Sequence, residues 1–432
     1  MIASASSVEE SASAAPQAPR RAVWAGLIGN VLEWFDFSVY GYFASDIGRQ
    51  FFPQSSASAQ HLLAFAVFAV GFGARPIGGL VLGRVGDRSG RRALLMLSIA
   101  LMGSSTLLLG LLPTYASIGV AAPLLLVTLR LIQGFSLGGE FTGSMVYTTE
   151  SSPAATRGLI SSSAAVGTTL GFIFGSGVAW LIHALLSADQ IGAWGWRIPF
   201  VGSVVFFVAG LFLRNRLHET SEGLKAAASR PALVSSLIAD WLPMVQTFSI
   251  IAMTNAAYYL VFTYAVERRS SSAAGGSSIF LLANTVGLII VLFAKPLGGW
   301  LSDRTGRRRL MLILTVGTMA LLVPALRLML DGTAWHFALG QFLMAVPLGM
   351  ALGLQGAMLV EIFPLRSRVT SLSFAYSVTL ALSGGTAPLV STWLVERLGQ
   401  PLAPAYYIML YGIICLAVVA RMKETNSRAL SA

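Results

Sequence analysis

Residues 74–92 read "ARPIGGLVLGRVGDRSGRR", and a shortened copy, "AKPLGGWLSDRTGRR", returns at 294–308. Each copy begins at the end of an apolar run and finishes in a cluster of arginines. The later copy lacks four residues, about one helical turn. A second echo accompanies the first: "ESSPAATR" (150–157) and "EIFPLRSR" (361–368) both read E-x-x-P-x-x-x-R. Two independent repeats in matching places imply a duplicated chain, an arrangement many transporters use.

Composition says what is duplicated. Of 432 residues, 55% are hydrophobic and 11% charged, against about 25% charged in a soluble globular protein. Crossing a hydrocarbon core of roughly 30 Å takes about 20 apolar residues as a helix, and only helices or closed barrels satisfy their backbone there. The apolar runs here are long and unbroken, so an all-α membrane protein is expected. Twelve transmembrane helices are read near 22–44, 61–83, 93–112, 118–147, 158–186, 197–213, 241–264, 277–301, 310–330, 334–360, 369–395 and 402–420.

The expected division is a disordered cytoplasmic N-terminal tail (1–21), an N-terminal six-helix half (22–213), a cytoplasmic linker (214–240), a C-terminal six-helix half (241–420) and a cytoplasmic tail (421–432). Twenty of the 29 Lys and Arg then fall on the side of both termini, as the positive-inside rule requires of a cell (inner) membrane protein with cytoplasmic ends. The net charge of +11 is thereby explained without nucleic acid, because the basic residues are scattered between apolar runs. The first 19 residues are rich in Ser, Ala and Pro and lack the basic start and apolar centre of a signal peptide. The single cysteine, Cys415, lies in the last apolar run, where it reads as a packing residue.

In each half the loop can be written G-x-x-x-D-R-x-G-R-R, from Gly83 to Arg92 and from Gly299 to Arg308. Glycines permit close helix approach and a tight turn, an aspartate can accept hydrogen bonds at a neighbouring helix N-terminus, and arginines can pair with nearby acids. Gating is therefore expected of Gly83, Asp87, Arg88, Gly90, Arg91 and Arg92 in the first copy and of Asp303, Arg304, Gly306, Arg307 and Arg308 in the second. Glu150, Arg157, Glu361 and Arg368 are the expected partners. The alternative is that the arginines only enforce topology.

The first span carries "GNVLEWFDFSVYG" (29–41), with two carboxylates in a run otherwise apolar enough to cross a bilayer. A charge near a helix centre costs about 2.5–3.5 kcal/mol on insertion scales, so a compensating reason is needed. Glu33 and Asp36 stand at i and i+3, with Asn30, Phe37 and Tyr40 extending the same side. Such a side faces a cavity, where desolvation favours the protonated carboxyl and hydration releases the proton. Glu33 or Asp36 is the expected proton carrier; the alternative is that one acid only bonds a neighbouring helix.

In the fourth span Arg130, Gln133, Leu137 and Glu140 fall within an arc of about 80° at 100° per residue, over roughly 15 Å. Arg130 can take a substrate carboxylate through its planar fork, and Glu140 can neutralise Arg130 or join proton transfer. A purely structural pair of Arg130 with Glu140 or Asp36 is the other reading. Arg75 and Lys295 occupy matching repeat positions and read as architectural, away from the substrate site. Glu33, Asp36 and Glu140 against Arg130 then give the centre a formal −2. Such a site repels a di- or tricarboxylate unless protons enter with it. A zwitterion fits better, its carboxylate on Arg130 and its cation on a carboxylate or on the faces of Trp34, Phe37, Tyr40, Tyr258 or Tyr259. Two further segments concern moving parts: Gly167, Gly171 and Gly175 space small residues four apart, and "SGGTAP" (383–388) can bend the eleventh span.

The duplicated loop over twelve spans resembles the signature of the major facilitator superfamily. More narrowly, "GNVLEWFDFSVYG", "RLIQGFSLGGEFTG" (130–143) and "WGWRIPF" (194–200) resemble the metabolite:proton symporter family. "TNAAYYLVFTY" (254–264) and "PAYYIMLYGIICLAVVARMKET" (404–425) are similar to its proline/betaine transporters. The resemblance spans residues 22–425 and implies proton-coupled import of a small polar metabolite, with a site between the halves, no cofactor, and a monomer working in the bilayer. The osmotically activated proline/betaine transporters carry a long coiled-coil tail, so regulation by that route is not expected of a chain ending about a dozen residues after its last span.

The leading expectation is a symporter of a zwitterionic compatible solute such as proline or glycine betaine. An organic acid (a dicarboxylate such as 2-oxoglutarate, citrate or shikimate) is the alternative. A membrane enzyme or receptor is the competing class, but the sequence has no phosphate-binding P-loop, no H-E-x-x-H pair and no G-x-S-x-G elbow. His61, His183, His218 and His336 are dispersed near span ends, so no metal site is expected.

Overall fold

The computed structural model describes residues 20–89, 91–150, 152–215, 233–272, 277–331, 333–365 and 367–426. Every regular element among them is helical. In chain order the principal helices are α1 (Arg20–Tyr42), α2 (Ala57–Leu82), α3 (Met96–Leu111), α4 (Ala121–Glu150), α5 (Ala154–Leu185) and α6 (Gly195–Phe212). After them come α7 (Trp241–Ser271), α8 (Ser278–Thr305), α9 (Arg307–Leu330), α10 (Ala334–Ile362), α11 (Arg368–Leu398) and α12 (Ala403–Val419). Nine of these among the described residues are long and apolar enough to cross a membrane, and α3 and α12 are shorter apolar helices. Each of the twelve expected runs lands on one of the twelve helices.

The duplication is visible in how helices touch. A Cβ on Gly78 or Gly134 would collide with the backbone of Phe135 or Gly71, and one on Gly138 would stand 2.5 Å from the Arg75 carbonyl. In the second half Gly298 and Gly353 meet the backbones of Met350 and Lys295 in the same way. Thus α2 packs on α4, and α8 on α10, backbone against backbone. Lipid tails are as apolar as leucine, so burying apolar side chains adds little inside a bilayer, and close small-residue contacts set the packing instead. Gly171 brings α5 against the Val31 backbone of α1, and Gly175 leaves room for the Ser38 side chain. Helix α5 lies at the centre of the molecule, against α1 of its own half and against α8 and α10 of the other.

Several spans are not continuous α-helix. The chain breaks its helix at Ala74 within α2 and turns at 137–139 within α4, where the helix Ala121–Ser136 ends before Glu140–Glu150 begins. Adjacent glycines 138 and 139 make that turn inexpensive. Single π-helical turns interrupt α7 at Leu260–Tyr264 and α11 at Leu380–Gly385. The second lies where "SGGTAP" was expected to bend the span. Cys415 is buried against Thr315.

Candidate functional site

Helix α1 delivers its polar side into the middle of the bundle, with Asn30, Glu33, Asp36 and Tyr40 all buried. A buried charge survives only when paired, and both acids are. Arg130 and Asp36 are fully buried, with Arg130 Nη1 donating to Asp36 Oδ2 at 2.5 Å. Gln133 Nε2 donates to Asp36 Oδ1 at 3.0 Å and to Thr106 Oγ1 at 2.9 Å. The guanidinium of Arg130 stands 3.9 Å from the centroid of the Tyr40 ring, whose hydroxyl donates to the Ala64 carbonyl at 3.0 Å. Glu33 faces Arg75 instead, Nη1 to Oε1 at 2.9 Å. The alignment there is poor enough that Glu33 Oε1 accepts no hydrogen bond. Arg75 in turn sits over Phe72 at 4.4 Å and Phe37 at 4.8 Å.

These contacts correct three sequence expectations. Arg75 lies deeper than its place beside the loop motif implies: it is 3% exposed and pairs with a central carboxylate, although it does not line the cavity between the halves. The helix that carries Arg130 and Gln133 ends at Ser136, so the even 100° step assumed from Arg130 through Leu137 to Glu140 is interrupted by the turn at 137–139. Lys295 also belongs to the centre, at 3% exposed, donating to the Ala165 carbonyl at 2.8 Å and Thr168 Oγ1 at 3.0 Å. The charge census changes with them: among the described side chains Glu33 and Asp36 face Arg75, Arg130 and Lys295, so two basic residues join a centre where Arg130 alone was expected. The side chain of Glu140 lies outside the described residues.

A cavity of about 40 Å³ opens beside this cluster, between the two halves. Its walls include Trp34, Phe141 and Phe172 from the first half and Tyr258, Lys295, Gln355 and Tyr376 from the second. Of the expected aromatic faces, Trp34 and Tyr258 reach it. Phe37 and Tyr40 do not line it, and pack instead around the arginines. Tyr259 stacks edge-on to Phe68, Phe72 and Phe172. Arg130, Gln133 and Asn30 are also absent from the cavity wall. Sequence reasoning did not single out Phe141, Phe172, Gln355 and Tyr376. Single aromatic or amide residues in apolar spans are too common for the sequence to mark these four.

Both ends of the bundle are tied across the halves. At the end that carries the loop motif, Asp303 accepts from the Gly158 and Leu159 amides at 2.8 and 2.9 Å, capping the start of the helix Arg157–Leu185. Arg157 pairs with Glu361 at 3.3 Å and Arg368 with Glu150 at 2.5 Å. Arg307 holds Asp303 at 2.7 Å and Glu361 at 3.4 Å. Glu424 accepts from the Arg307 amide at 2.7 Å, beside Gly306, whose φ of +93° favours glycine. Arg308 Nη2 donates to the Ala420 carbonyl at 2.5 Å, and Arg304 lies over the Trp300 ring. The side chains of Gly83, Asp87, Arg88, Arg91 and Arg92, and the whole of Gly90, lie outside the described residues. At the opposite end Ser45 donates to Glu267 and His61 lies 3.4 Å from the same carboxylate. Asn284 donates there to Tyr42 and Ser176 at 2.8 and 2.9 Å. No group of three or more metal-ligating side chains occurs among the described residues.

Ion-paired carboxylates beside a cavity, between two halves tied to each other at both ends, form the architecture of a carrier. Known proteins agree. Residues 22–230 match the family described as "Sugar (and other) transporter", and residues 276–430 the "Major Facilitator Superfamily". The chain is 35% identical to a proline/betaine transporter of Salmonella typhimurium over 427 residues, covering 95% of this chain and 85% of that one. It is 34% identical to a citrate-proton symporter of Klebsiella pneumoniae over 405 residues, covering 93% and 91%. The fold is that of the xylose transporter XylE from E. coli, with a TM-score of 0.75 at 20% identity over 95% of this chain and 99% of that one. The chain therefore belongs to the major facilitator superfamily, as a multi-pass membrane transporter of the family that includes the proline/betaine transporters and the citrate-proton symporter.

Proposed function

We propose that the chain imports a small zwitterionic compatible solute, of the proline or glycine betaine kind, together with protons, across the inner membrane and as a monomer. The observation that carries this is the cavity itself: it is walled by both halves, it is rich in ring faces, and no carboxylate lines it among the described residues. A cationic nitrogen placed there meets aromatic faces, which attract it once water is excluded. At about 40 Å³ the space holds roughly three waters, so a solute enters only as one end opens. The relative from Salmonella typhimurium, a proline/betaine transporter, supports this substrate class. The citrate-proton symporter supports the coupled ion, and keeps an organic acid as the second reading.

The working cycle follows from the ties between helices 1–6 and helices 7–12, taken as two moving halves with the loop motif and both termini cytoplasmic. Release of Asp303 from α5, of Arg157 from Glu361 and of Arg368 from Glu150 opens the cytoplasmic end. Release of Glu267 from Ser45 and His61 opens the other. Between the two candidate proton carriers, Glu33 is favoured. Asp36 is held by two well-formed hydrogen bonds, whereas Glu33 Oε1 accepts none and its neighbour Trp34 lines the cavity. Protonating Glu33 frees Arg75 at little cost in hydrogen bonds. The test is uptake of labelled glycine betaine by cells lacking their own betaine and proline carriers, with competitors. Protonophore-sensitive uptake displaced by proline but not by citrate, 2-oxoglutarate or shikimate supports the reading. Displacement by the acids alone moves it to the organic-acid alternative.

A further inference from the structure

Arg75 and Arg130 each have a carboxylate; among the described residues Lys295 has none. Its ammonium carries three donors. Two are used, on the Ala165 carbonyl and Thr168 Oγ1, and among the described residues the third finds no acceptor. The side chain is 3% exposed and forms part of the cavity wall. A buried amine with a spare donor at the edge of a cavity suits an anion, since an arriving carboxylate stabilises the protonated form with a short, strong bond that nothing else among the described residues supplies. Across the same cavity stand the rings of Trp34, Phe172, Tyr258 and Tyr376.

We propose that Lys295 anchors the carboxylate of the transported solute, with the facing rings taking its cationic end; this rests on the zwitterion reading above and adds to it the residue that sets selectivity. One central cation without a carboxylate among the described residues matches one substrate carboxylate. A carboxylate-free cation such as choline leaves Lys295 unanswered, and a dicarboxylate leaves an acid group without a partner. The anchor also has a mechanical role. Lys295 belongs to α8, while Ala165 and Thr168 belong to α5 in the other half. A carboxylate arriving at the ammonium competes with those two acceptors, so ligand binding weakens a tie between the halves where the cavity has to widen.

The experiment compares the unmodified chain with Lys295→Gln and Lys295→Arg, each purified, confirmed monodisperse and reconstituted. Gln keeps a donor for Ala165 and Thr168 but removes the charge; Arg keeps the charge and covers the case in which Gln does not fold. Competition by glycine betaine and by choline against labelled glycine betaine is read in each. Losing one charge-assisted bond raises the KM for glycine betaine in Lys295→Gln about 10- to 100-fold. The preference for glycine betaine over choline collapses with it, and Lys295→Arg restores most of both. A preference that stays unchanged while uptake of both falls together would reduce Lys295 to a tie between helices and overturn the proposal. If the unmodified chain carries no zwitterion, the substrate reading fails alone, and the anchor is judged by thermal stabilisation with propionate. Stabilisation of the unmodified chain but not of Lys295→Gln upholds it, and equal stabilisation overturns it.

Discussion

Asp303 is the residue whose loss most directly unfastens the loop end. Its two oxygens accept the Gly158 and Leu159 amides at 2.8 and 2.9 Å, and Oδ1 also holds Arg307 at 2.7 Å. In Asp303→Asn one oxygen becomes an NH2 group that points a donor at a donor, and the negative charge leaves the N-terminus of α5. A hydrogen bond to a charged group is worth about 1.5–3 kcal/mol net of water, and the charge at a helix N-terminus about 0.3–1 kcal/mol. Arg307 keeps Glu361, which retains part of the closure, so we take about 2 kcal/mol as the loss specific to the closed state. That is roughly a 30-fold shift toward the open loop end, at 1.4 kcal/mol per tenfold. Thiol labelling reads it well because the only cysteine, Cys415, is buried and can be replaced by Ala. A reporter at Ala164, on the cavity wall, is labelled in inside-out vesicles by an impermeant maleimide. The rate is expected to rise about 30-fold in Asp303→Asn. A rate unchanged or slower would show that this cap does not hold the end closed.

Three further outcomes are expected. Arg130→Met leaves Asp36 buried without its partner, a cost of about 3–5 kcal/mol, and lowers the melting temperature in detergent. Adding Asp36→Leu recovers most of the loss, and a double variant as unstable as the single one would refute the pair as the cause. Glu33→Gln abolishes accumulation driven by a pH gradient yet preserves exchange of labelled for unlabelled solute, whereas retained gradient-driven accumulation would remove Glu33 from proton coupling. Gly134→Ala drives a methyl group into the backbone of Gly71, costing at least about 1–3 kcal/mol and reducing the yield of monodisperse protein. Gly73→Ala, with no atom within 4 Å of the added carbon, is the control and leaves the yield unchanged.

The fold was legible because its signals are repeated and long. Twelve apolar runs each exceed what a soluble core needs, and the two loop motifs fix their grouping. The pairing of Arg307 with Glu361 was legible for a similar reason, since the E-x-x-P-x-x-x-R echo brings its acids to the loop end; Glu150 there pairs with Arg368 of that echo. The centre was harder. Arg75 and Lys295 stand next to the loop motif in sequence, which suggested the edge of the bundle. Their depth is set by the backbone contacts of Gly138 and Gly353 with their carbonyls, and those depend on helices more than fifty residues away in sequence. Arg130 and Asp36 were each recognised, but periodicity cannot say that they close on each other and leave Lys295 without a carboxylate among the described residues. The aromatic side of α1 divided for the same reason. Trp34, 5.6 Å from the Arg75 guanidinium, also lines the cavity, while Phe37 and Tyr40 sit against Arg75 and Arg130 away from its wall.

The most direct test of the account uses the purified chain in sealed proteoliposomes, with an alkaline interior imposed at zero membrane potential and labelled glycine betaine outside. The account predicts accumulation above the outside concentration that collapses when a protonophore is added. Equilibration without accumulation, at the same rate with and without the gradient, would contradict proton-coupled transport.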